Sequence, residues 1–85
     1  MIREPLKDWM ERELATPLSH DNFAALARSL DTLADSHPPG FDRWDEVARS
    51  GARAAERHDI DGVRAACRDC HRNHRAAYRV QRRMP

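Results

Sequence analysis

The chain is punctuated at three points, Thr16-Pro17, His37-Pro38-Pro39-Gly40 and the stretch from His58 to Asp61. The four stretches between them repeat apolar residues at helical spacing, and none alternates with the period of two that a half-buried strand requires. The first opens at Pro5, a favoured first-turn residue, and sets Leu6, Trp9, Met10 and Leu14 on one face before Thr16-Pro17 closes it. The second takes Asp21 as its N-cap and carries the stripe Phe23, Leu26, Ala27, Leu30, Leu33, Ala34. The third opens at Phe41 or Asp42, turns Trp44, Val47, Ala48, Gly51 and Ala55 inward, and ends near His58. The fourth is capped by Asp59 or Asp61 and runs to about Gln81. Four amphipathic helices joined by short links predict an all-α fold, an antiparallel up-down-up-down four-helix bundle. Residues 1–85 form a single domain in this reading, with no internal repeat or interdomain linker.

A core built from 85 residues is small. Chains of this size commonly rely on a metal, a disulfide, a partner subunit or a cofactor to hold the fold. No apolar run approaches the roughly 20 residues that span a bilayer, so membrane insertion is not expected. The formal charge of +1 conceals an asymmetry, since seven arginines and one acidic residue, Asp69, lie between Arg64 and Arg83. Such a stretch is either a solvated helix face or an attractor of acidic partners. An isoelectric point near 7.9 falls short of the basic footprint of a nucleic-acid binder.

On the fourth helix, Ile60, Val63, Cys67, Cys70, His71, His74 and Tyr78 fall in one sector. Cys67 and Cys70 are three residues apart, and Cys67 and His71 four, so their side chains are neighbours. In the string Cys67-Arg68-Asp69-Cys70-His71 each thiol can add across one haem vinyl group, and the imidazole that follows is held under the iron. One covalent haem c is therefore the expected cofactor, with His71 as proximal ligand. Three other uses of these residues compete. A redox dithiol would sit in a strand-turn-helix context that this chain lacks. Zinc could take Cys67, Cys70 and His74, with His20, His37 or His58 completing a tetrahedral site. Two buried cysteines can also be simply small hydrophobes. No paired carboxylates or serine-histidine arrangement suggests an enzyme.

With Cys67-Arg68-Asp69-Cys70-His71 followed by Arg75, Tyr78 and Arg79, the chain resembles the four-helix-bundle cytochromes of the cytochrome c-prime family and their low-spin relatives. The run from Trp44 to Ala55 and the segment from Leu6 to Met10 extend the likeness. His74 stands where members commonly carry an aromatic, and this chain is shorter than the family's usual length. The resemblance implies the bundle, the haem and the proximal ligand. It also implies that a first-helix residue faces the iron's other side, where an apolar side chain leaves a five-coordinate site open to nitric oxide or carbon monoxide and a methionine makes an electron carrier.

Met10 is the residue to weigh, either as a core methionine or as the sixth ligand, since methionine with histidine is an established pair that raises the potential. Electron transfer is the expected function. Trp9, with Trp44 and Phe41, is read as packing against the haem. Tyr78 shares the haem-facing stripe, and Arg75 and Arg79 either pair with propionates or remain solvated. Redox partner proteins, acidic ones above all, and a homodimer formed through the first two helices complete the expected associations. Met1-Ile2-Arg3-Glu4-Pro5 lacks the apolar core of a signal peptide. Covalent haem attachment in bacteria nevertheless ordinarily takes place outside the cytoplasm, so the motif implies a periplasmic protein.

Overall fold

The computed structural model describes residues 4–83, and among them every regular element is helical. Helix α1 (Leu6–Met10) passes without a break through a π-helical turn (Glu11–Ala15) into α2 (Thr16–Ser19), and the three make one continuous first helix. Helices α3 (Phe23–Asp35), α4 (Trp44–Glu56) and α5 (Ile60–Arg83) follow. The described residues thus form a set of four helices.

The first helix continues past the point where Thr16-Pro17 predicts its end. Proline has no N–H, and its ring clashes with the carbonyl four residues back. Widening the preceding turn relieves both problems: the Thr16 N–H reaches the Glu11 carbonyl five residues back, and the Thr16 hydroxyl donates to the same oxygen at 3.0 Å. Pro17 then occupies the first turn of α2, where no N–H is missed.

The π turn also sets the register. A position four residues on advances by about 40° in an α-helix. In a π turn, with about 4.4 residues per turn, it falls back by roughly 30°. The two drifts largely cancel, so Leu6, Met10, Leu14 and Leu18 stay on one side and line one cavity.

Local side chains fix the other helix ends. The cap of α3 is Asn22, whose side chain accepts the Ala25 N–H at 3.2 Å, rather than Asp21 as the sequence suggested. Asp21 takes a left-handed conformation (φ 53°) that turns the chain one residue earlier. Arg43, also left-handed, precedes α4. Asp59 caps α5, accepting the Gly62 N–H at 3.0 Å, and the helix runs two residues beyond Gln81.

Packing runs in sequence order. The first helix lies against α3, α3 against α4, and α4 against α5. Among the described residues, no Cα of the first helix comes within 8 Å of one in α5. The central position of α4 explains why Ala52 and Ala54 are buried beside the expected Trp44, Val47, Ala48, Gly51 and Ala55: it is covered on two sides. Ladder-like ion pairs tie α3 to α4, with Arg49 on Asp31 (3.3 Å) and Asp35 (2.5 Å) and Arg53 on Asp31 (2.7 Å). These pairs are exposed, so apolar burial carries most of the stability.

Gly51 is where the three inner helices meet. A Cβ there would stand 3.0 Å from the Ala66 Cβ and 3.2 Å from a Leu30 methyl. Gly51→Val should overpack this junction and lower stability by about 2 kcal/mol, which urea denaturation would read as an earlier midpoint with unchanged slope.

Candidate functional site

Between the first helix and α5 lies a slot of about 480 Å³. Leu6, Met10, Leu14 and Leu18 line one wall; Cys67, Cys70, His71, His74 and Tyr78 line the other; Leu26 and Trp44 reach it from α3 and α4. A space of this volume, mainly apolar with a few polar groups, suits a small organic ligand or cofactor. A second, smaller cavity again brings Met10 and Leu14 together with Cys67, Cys70 and His71.

Sequence periodicity put seven residues of α5 on one inward stripe. Val63, Cys70 and His74 are buried, Cys67 and Tyr78 half-buried, and His71 is exposed on the slot wall. Ala66, which that stripe omits, is buried with Val47 and Cys70. Of the residues expected around a haem, Met10, Arg75 and Tyr78 line the slot beside the cysteines. Trp9 does not: it is buried in the main core cluster, and Trp44 is the tryptophan on the slot wall. The side chain of Arg79 lies outside the described residues.

Trp44 is held on two counts. Its indole N–H donates to the Leu33 carbonyl at 2.9 Å, a second bond to an oxygen near the C-terminus of α3 that also accepts the Ser36 N–H. Its ring packs near Phe41, His74 and Tyr78, with centroids 5.6, 5.7 and 5.9 Å away. His74 and Tyr78 also approach Phe41, at 5.7 and 6.1 Å, so an aromatic cluster closes one side of the slot.

Electrostatics separates the competing chemistries. Burial pushes the Cys67 thiol above its ordinary value, with Arg68 opposing weakly. Burial, then the neighbouring Cys67, raises Cys70 to about 11. Neither is primed as a thiolate nucleophile, which counts against a redox dithiol. His71 moves the other way: loss of surrounding water, then the Arg75 cation, lowers its pKa and favours the neutral imidazole that a metal needs.

Among the described residues no three His, Cys, Asp or Glu side chains gather as a metal-binding group. His20, His37 and His58, proposed to complete a zinc site, are all exposed. His58 stacks on Phe23 at 4.6 Å, and His37 bonds the Phe41 carbonyl. The zinc reading therefore has no assembled site.

No family profile, curated protein or solved structure matches the chain. Function must therefore be argued from the slot itself. Its contents fit a haem on three observations: the apolar volume, two uncharged thiols beside a histidine on one wall, and a buried histidine nitrogen, His74 Nε2, that lacks a hydrogen-bond partner.

Proposed function

We propose that this chain is a c-type cytochrome that carries electrons, a shortened relative of the cytochrome c-prime family with an antiparallel four-helix bundle. Cys67 and Cys70 would hold the haem through thioethers, and His71 would be the proximal ligand. The observation that carries the reading is the slot, which keeps the first helix off α5 and sets Met10 opposite the Cys67-Cys70-His71 wall. The α3 to α4 ion pairs, in which Asp31 meets Arg49 and Arg53 while Asp35 meets Arg49, support the antiparallel order.

A bound haem supplies a one-electron couple. The residues supply the rest. Met10 offers a thioether, which is soft enough to hold iron in both oxidation states. Leu6, Leu14, Leu18 and Leu26 give the slot an apolar lining, and burial is one of the levers that set a haem potential. Arg75, at the slot, can pair with a propionate. On α5, Arg64, Arg68, Arg72 and Arg75 are exposed and suit an acidic redox partner, with attraction that weakens as salt rises. Covalent attachment places the protein in the periplasm in this reading. The described residues include no helix long and apolar enough to cross a membrane.

A second reading has its own observation. Leu6 and Leu14 line the slot one turn to either side of Met10, so a slip of the first helix by one turn would present leucine to the iron. The site would then be five-coordinate and bind nitric oxide or carbon monoxide. A visible spectrum of the purified ferric protein decides between the two. Electron carriage predicts a low-spin spectrum with a methionine-to-iron charge-transfer band; a high-spin spectrum with immediate uptake of carbon monoxide on reduction would favour gas binding.

A further inference from the structure

Among the described residues, His74 Nε2 is a buried side-chain nitrogen left without a hydrogen-bond partner. The residue is 8 % exposed and lines the slot. Leaving a buried polar group unpaired forfeits the hydrogen bonds it made to water, so such a group calls for a partner. The rings around it cannot serve. Phe41 and Trp44 stand with centroids 5.7 Å away, Phe41 has no polar atom, and the Trp44 N–H is already given to Leu33. Two cations line the same slot, Lys7 from the first helix and Arg75 next to His74 on α5, against one carboxylate, Glu11, a turn further along the first helix from Lys7. Lys7 is the chain's only lysine.

We propose that His74 donates a hydrogen bond to a carboxylate of the bound haem, and that Lys7, His74 and Arg75 together form the carboxylate-recognising end of the slot. The inference rests on the cofactor reading and adds an orientation to it. A haem is apolar over most of its surface and carries two carboxylates along one edge. A carboxylate placed among Leu14, Leu18 and Leu26 would be buried without a partner, which is prohibitive. Near Lys7 and Arg75 it meets opposite charge, and the imidazole of His74 adds a donor beside the aromatic cluster. The proton is assigned to Nε2 from these surroundings. His74 is a positioning residue in this account, since it touches the cofactor's edge and not its iron.

Resonance Raman spectroscopy of the intact haem protein tests the idea through the propionate-bending band, which responds to hydrogen bonds on the carboxylates. His74→Phe keeps a ring against Phe41 and Trp44 while removing the donor, and His74→Gln restores one. His74→Met is a second donor-less variant if the Phe protein does not accumulate. The expected result is a shifted band in the donor-less variant, a band returned toward its wild-type position in His74→Gln, and an unchanged iron-ligand spectrum in both. A band unmoved by loss of the donor, or moved equally by Gln, would overturn the proposal and leave the haem assignment standing. Protein whose mass shows no haem would overturn the cofactor reading itself.

Discussion

Met10→Ala should convert the ferric protein from low spin to high spin, lower its reduction potential by on the order of 100 mV, and let the reduced form bind carbon monoxide at once. The expectation follows from placement. Met10 shares both cavities with Cys67, Cys70 and His71, and it is half-buried, so its thioether is neither sealed in the core nor lost to solvent. The π turn that begins at the next residue keeps Leu14 and Leu18 on the same wall, so the first helix presents a continuous apolar face to the slot. Alanine removes the thioether without adding a group that could replace it. Met10→Leu keeps most of the apolar volume and should give the same spectral change, separating ligation from packing. Absorption and magnetic resonance spectra of the three proteins, with potentiometry, would read the result.

Trp44→Ala should have the largest effect on stability, about 3–5 kcal/mol. A chain of this size has roughly 4–13 kcal/mol in total. Trp44 is 3 % exposed, ties α4 to the end of α3 through the Leu33 carbonyl, and anchors the aromatic cluster with Phe41, His74 and Tyr78. Its removal would leave a cavity continuous with the slot and deprive the Leu33 carbonyl of a donor. Trp44→Phe should cost less, about 1–2 kcal/mol, because the ring stays and mainly the hydrogen bond goes. Thermal unfolding followed by circular dichroism would show the order wild type, Phe, Ala. An Ala variant melting within a few degrees of wild type would mean that the cluster is not the keystone described.

The helices were legible in the sequence wherever one face was buried. Of the α3 stripe, Leu26, Leu30, Leu33 and Ala34 are buried as periodicity predicts, while Phe23 and Ala27 at its edges are half-buried. Periodicity does not mark Ala52 and Ala54 on α4, because a helix packed on two sides has no single buried stripe. Sequence reading fails at Pro17 because the usual expectation, that proline ends a helix, takes no account of a widened turn, and that turn depends on the bonds from Thr16 to Glu11. The cap of α3 is missed by one residue because Asp21 and Asn22 are both good caps, and a left-handed Asp21 decides between them.

At the site, spacing placed Cys67, Cys70, His71 and His74 on one side of α5, but it carried no information on depth. His71 is exposed while His74 is buried, three residues on, because Phe41 and Trp44 cover only the latter. Likewise Trp9 and Trp44 were equal candidates for the slot wall in sequence. In the fold Trp9 turns into the core cluster and Met10 is left on the slot.

The central claim is that haem is covalently bound at Cys67 and Cys70, and its most direct test is the intact mass of the denatured protein, produced in a host with haem-attachment machinery. The account predicts the polypeptide plus one haem, with the bare mass recovered only when both Cys67 and Cys70 are replaced by alanine. A denatured wild-type protein with the mass of the polypeptide alone would contradict it.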